Sequence, residues 1–108
     1  MTKMNKKIKL YDQTMYIDDT QKYMNGRMAV EIYDSEGPFM TLSVNVPEAH
    51  NVEEGEFIVK TYSENEPFID EISESGLFID TGKVVLSGFA TMPIWKFKPI
   101  IPGKKGGR

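Results

Sequence analysis

Hydrophobic residues along this chain alternate with polar ones more often than they recur at helical spacing, and the alternation begins near the start. Ile8 and Leu10, then Met15 and Ile17, each pair separated by one residue, predict two short strands around Asp12 to Thr14. Asn25-Gly26 follows, a pair suited to the positive φ angles of a type I′ turn. Met28, Val30 and Ile32 then share one face of a strand over Arg27 to Asp34. Ser35 to Pro38 breaks the chain, and Phe39 to Val46 resumes the alternation with Met40, Leu42, Val44 and Val46 pointing one way. These two segments read as a hairpin with one buried face. Pro47 to Gly55 is polar and reads as a loop. Glu56 to Tyr62 predicts a further strand, with Phe57 and Val59 opposite Ile58 and Lys60.

The pattern changes after Ser63. Pro67 suits a first helical turn, Ser63 or Asn65 offers a capping oxygen, and Phe68, Ile69 and Ile72 recur at spacings of one, three and four. This predicts one helix over Glu66 to Ser75, ended by Gly76. Leu77 to Ile79, Lys83 to Leu86 and Phe89 to Phe97 return to extended character, with Gly82 and Gly88 as breaks. Pro93 marks the last run as an edge strand or a bulged one. The expected fold class is α+β, a mostly antiparallel sheet of five to seven strands with one short helix packed on it. Residues 1–97 are expected to form a single domain. Residues 98–108, with two prolines, three glycines and four bases, are expected to be a flexible basic tail.

Composition narrows the class. The 108 residues are 40% hydrophobic, 11% aromatic and 27% charged, which fits one soluble globular domain and not a disordered chain. No apolar run is long enough to span a membrane, and the first residues lack the apolar core and cleavage site of a secreted precursor. Zero cysteines exclude a disulfide framework, a thiolate nucleophile and a cysteine-based metal site. A cytoplasmic location is expected.

Net charge is −3, but its distribution is uneven: residues 1–11 carry +4, residues 12–47 carry −4, residues 48–80 carry −9 and residues 81–108 carry +6. An acidic body between basic ends argues against direct nucleic-acid binding by the folded part. Catalytic chemistry is equally unsupported. His50, the single histidine, reads as a solvated loop residue despite nearby Glu48, Glu53 and Glu54, and no serine stands in a G-x-S-x-G context. Asp18-Asp19 and Glu53-Glu54-Gly55-Glu56 do not match a calcium loop, and no glycine-rich phosphate cradle is present. The expectation is a protein with no catalytic residue, metal, cofactor or small-molecule substrate, and so not an enzyme. Tyr11, Tyr16, Tyr23, Tyr33 and Tyr62 read mostly as half-buried strand residues, and Trp95 as core. The stretch from Glu48 to Asp80 has two readings. It is a solvated face, or it mimics a phosphate backbone for a groove lined with lysine and arginine. On the second reading Glu53, Glu54, Glu56, Glu64, Glu66, Asp70, Glu71 and Glu74 are the candidate partner contacts.

The order of short pieces from Asn25 to Phe97 resembles a small family of unknown-function domains of bacterial conjugative elements, plasmids and phages. The resemblance rests on Asn25-Gly26 with Ala29-Val30, Pro38-Phe39 with Leu42, Val44-Asn45 and Pro47, Phe57-Ile58 with Thr61, Pro67, Ile69 and Glu71, Gly76-Leu77, Thr81-Gly82, and Ser87-Gly88-Phe89 through Pro93 to Phe97. Tyr62-Ser63-Glu64-Asn65 departs from the family pattern of Asn, Cys and Pro-Trp at that turn. The resemblance implies a context beside anti-restriction and other anti-defence genes, with some proteins of this size acting as anti-CRISPR inhibitors. It thereby strengthens the mimic reading, since a Cas9-type nuclease holds guide and target in a basic channel. The alternative is an accessory interaction module of a conjugative or replication system, using an apolar edge around Phe89 to Trp95.

Overall fold

In the computed structural model, residues 6–88 and 90–99 are described. The early alternation becomes a four-stranded antiparallel sheet in the order β1-β2-β3-β4: β1 (Lys6–Leu10), β2 (Gln13–Lys22), β3 (Met28–Asp34) and β4 (Gly37–Thr41). Ile8, Leu10, Met15, Ile17, Val30, Ile32 and Met40 are buried along it. The tight turn with positive φ at both central residues lies at Tyr11 (50°) and Asp12 (71°), closed by the pair Leu10 and Gln13. Asn25-Gly26 is a different turn. There Tyr23 N–H donates to Arg27 O at 2.8 Å, three residues intervene, and of them only Gly26 takes positive φ.

The run from Phe39 to Val46 is not one strand. Leu42 transfers the chain from the first sheet to a second: its N–H donates to Val30 O at 2.9 Å, while its carbonyl accepts from Lys60 N–H at 2.8 Å. The second sheet has the order β5-β6-β8-β7, made of β5 (Ser43–Val44), β6 (Glu56–Val59), β7 (Phe78–Ser87) and β8 (Ala90–Phe97), all pairs antiparallel. Gly82 does not end a strand, because β7 passes through it with a shift of register between Asp80 and Val84. Pro93 does not mark an edge either. β8 is an interior strand, and Pro93 is tolerated because pairing with β6 stops at Ile94, one residue short of it.

The fold is thus α+β and antiparallel, with eight strands among the described residues divided between two sheets. The helical segment is a 3₁₀ turn (Ser63–Phe68) running into a short helix, α1 (Ile69–Ser73). Burial positions both. Phe57, Val59 and Trp95 of the second sheet meet Ile17, Val30 and Ile32 of the first, and α1 closes this core with Ile72. On the opposite face of the second sheet Ile58, Val85, Met92 and Ile94 form a smaller cluster, covered by Val46, Ala49 and Val52 of the following loop. Arg27 ties that loop down, donating from Nη1 to Val46 O at 2.8 Å and from Nη2 to Ala49 O. β6 is therefore buried on both faces.

Lys98 N–H donates to Leu77 O at 2.8 Å, just before the start of β7. The rest of the expected basic tail from residue 100 on, and the first lysine, Lys3, lie outside the described residues. No helix among the described residues is long and apolar enough to cross a membrane.

Candidate functional site: an acidic helix beside exposed aromatics

The helical segment carries charge of one sign only. Residues 63–74 contain Glu64, Glu66, Asp70, Glu71 and Glu74 and no base. Five residues of α-helix do not hold themselves together, so tertiary contacts must. Neither expected side-chain cap forms. Ser63 instead takes φ 58°, turning the chain out of β6, and Asn65 is pulled inside. Asn65 is fully buried, and its Nδ2 donates to Thr41 O at 2.8 Å and to Lys60 O at 3.0 Å, which fastens the 3₁₀ turn to both sheets. Phe68, Ile69 and Ile72 then face the core, and Glu66, Asp70 and Glu74 are left in solvent.

Aromatic rings border these acids. Phe39 is the extra residue of a bulge, since Ile32 pairs with Met40 but Tyr33 pairs with Pro38. Its ring meets Phe68 edge-on at 5.2 Å, and Tyr11 meets the same ring at 5.6 Å. Tyr11 remains 57% exposed and Phe39 37%, enough surface for each to touch a partner. Tyr11 is also held from two sides: its hydroxyl donates to Pro67 O at 2.7 Å, and its N–H donates to Glu71 Oε2 at 3.4 Å. Glu64 receives Lys60 Nζ at 2.8 Å, and this bond lowers the Glu64 pKa and raises that of Lys60.

The eight candidate carboxylates do not share one face. Glu64, Glu66, Asp70, Glu71 and Glu74 belong to the segment that packs on the inter-sheet core, whereas Glu53, Glu54 and Glu56 belong to the other end of β6, beside the loop on the opposite face. β6 alone separates them by about 10 Å. Glu56 is only 9% exposed. It accepts from Lys83 Nζ at 2.8 Å and from Glu53 N–H at 3.0 Å. Burial pushes its pKa up, but those two hydrogen bonds and the charges of Lys83 and Lys96 prevail and hold it below 4.5. Glu56 is thus a structural carboxylate. Glu53 and Glu54 are exposed in an open, mixed-charge groove with Lys22 and Arg27.

Other candidates sort quickly. His50 is exposed in a groove with Glu48, Val46 and Leu86 whose lining contains no serine. Among the described residues no three metal-ligating side chains converge. The five tyrosines are dispersed: Tyr16 and Tyr33 are cross-strand neighbours, Tyr11 borders the helix, Tyr23 shares a hydrogen bond of 2.8 Å between its hydroxyl and that of Ser43, and Tyr62 sits by Lys60. Met92, Ile94 and Trp95 are buried, and Phe89 lies outside the described residues. The aromatic border of the helix was missing from the sequence reading; the signal available was Phe39, a large apolar residue out of phase with Met40 and Leu42. Comparison with family models, with curated proteins and with solved structures returns no match for this chain.

Proposed function

We propose that the protein is a non-enzymatic inhibitor of a host defence nuclease, of the anti-CRISPR type with a Cas9-like target, acting in the cytoplasm of the bacterial host. The helical segment enters a channel lined with lysine and arginine that otherwise holds nucleic acid. The observation that carries the reading is the acidic run of residues 63–74, in which Glu66, Asp70 and Glu74 stand in solvent, flanked by the exposed rings of Tyr11 and Phe39. Carboxylates attract guanidinium groups, and a neighbouring ring offers them a face to stack on, so the pair of features suits arginine-rich protein better than water alone. Aromatic groups at the centre of a patch are also the usual energetic anchors of an interface. Such an inhibitor works by occupancy and uses no catalytic group.

The test is co-elution of the purified protein with a guide-loaded Cas9-type nuclease at low and high salt, with target cleavage assayed in the same fractions. Binding with loss of cleavage, weakened by salt, is expected. Free elution with full cleavage removes this target. The reading as an accessory module of a conjugative or replication system loses the apolar edge expected around Phe89 to Trp95, because Met92, Ile94 and Trp95 are buried; what it retains is the exposed apolar pair Val84 and Leu86 on the paired strand, and it predicts association with its partner that survives high salt.

A further inference from the structure

We infer that the distal half of β7, residues 84–87, is a self-association edge through which two copies of this chain join their second sheets. Among the described residues four strands form the sheet edges: β1, β4, β5 and β7. Exposed edges invite pairing with other chains, and folded proteins blunt them with lysine, proline, bulges or shortness. β1 carries Lys6, Lys7 and Lys9. β4 carries Pro38 and a bulge, and β5 is two residues long. The first half of β7 is bulged between Asp80 and Val84 and carries Lys83. Residues 84–87, Val-Val-Leu-Ser, have none of these guards.

The backbone fixes which groups are offered. Ser87 pairs with Ala90 to close the hairpin, so Ser87 and Val85 direct their N–H and C=O groups toward β8, and Val84 and Leu86 direct theirs outward. A side-chain contact agrees with this parity, because Asn51 Nδ2 donates to Val84 O at 3.0 Å from outside the sheet. The side chains of Val84 and Leu86, 48% and 72% exposed, project on one face.

The edge is self-complementary. A two-fold axis through Val85 sets Val84 opposite Leu86 of the second copy and Leu86 opposite Val84, so that both outward residues of each copy make paired backbone bonds. Apolar groups then face each other across the seam, Lys83 falls opposite Ser87, and no like charges meet. Among the described residues Asn51 guards the edge by its bond to the Val84 carbonyl, and pairing displaces it. A foreign extended peptide would gain the same backbone bonds, but only a second copy supplies Val84 and Leu86 in this reciprocal order. The seam is short, so the dimer is weak, with a dissociation constant on the order of 100 µM.

Sedimentation equilibrium on the full chain, from about 10 µM to about 1 mM, tests this. The expected result is a concentration-dependent rise toward twice the monomer mass, abolished in Leu86→Lys and strengthened about three-fold in Asn51→Ala. Leu86 is exposed, and circular dichroism of the Leu86→Lys chain verifies that it stays folded. A wild-type chain that remains monomeric at the highest concentration overturns the inference, as does a dimer that Leu86→Lys leaves intact or that Asn51→Ala weakens. These variants leave the helical carboxylates untouched, so the outcome is independent of the proposed inhibitor function.

Discussion

At one end of β6, Glu56 is buried against Lys83 and the Glu53 N–H; beyond the other end, Glu66, Asp70 and Glu74 stand in solvent with their helix anchored from beneath. Both groups come from the same acidic third of the chain, and charge counting alone treats them alike. Their energetics differ. A carboxylate already satisfied by the fold has nothing left to offer a partner, and pulling it away costs stability. One left in water near exposed rings loses little by exchanging water for an arginine. The comparison teaches that the number of acids does not define a binding face; the number that the fold leaves unused does.

The comparison breaks most readily at the anchor. Asn65→Ala removes both hydrogen bonds from a fully buried amide and leaves Thr41 O and Lys60 O without it, so unfolding free energy should fall by about 2–3 kcal/mol in urea titrations. A drop below about 0.5 kcal/mol shows that the helical segment is held by its apolar face alone.

Next in size is the structural carboxylate. Glu56→Ala should cost about 1–2 kcal/mol, less than a fully buried ion pair because Lys83 is partly solvated, while Asp70→Ala should be silent within error. The same bond predicts a pH dependence with a definite sign. The Glu56 pKa in the folded chain lies below its ordinary 4.5, so the contribution is complete above that value and is lost as pH falls through the folded pKa. Thermal melts from neutral pH downward should show wild type losing its advantage over Glu56→Gln below about pH 4.5, and parallel curves in that window contradict the assignment. The smallest effect concerns Lys60 and Glu64. Their ion pair is open to solvent, and Glu64→Gln should leave the urea midpoint unchanged although it removes a bond of 2.8 Å.

Much of the first sheet was legible because one face of each strand is buried: Ile8, Leu10, Met15 and Ile17 alternate as a half-buried strand must. Sequence reasoning failed where that condition failed. Residues 56–59 are buried on both sides, so alternation there could not tell which face met which core. Leu42 sits in phase with Met40 and Val44 and yet marks a change of sheet, set by hydrogen bonds to Val30 and Lys60 that no local pattern encodes. The positive φ angles at Tyr11 and Asp12 fall on residues less suited to them than Asn25-Gly26, because the register of β1 on β2 leaves two residues to turn. For the site, the acids themselves were readable. Their division was not: Glu56 and Glu66 look equivalent in the sequence until Lys83, twenty-seven residues beyond Glu56, is brought to one of them.

The central claim is that the helical carboxylates, and not those of the loop, carry binding. The measurement that tests it most directly is a side-by-side titration of a guide-loaded Cas9-type nuclease with the wild-type chain, with a Glu66→Lys, Asp70→Lys, Glu74→Lys variant and with a Glu53→Lys, Glu54→Lys variant. A loss of affinity of about 100-fold for the helical variant and less than about 3-fold for the loop variant is predicted. Wild-type affinity in the helical variant, or a larger loss in the loop variant, contradicts the account.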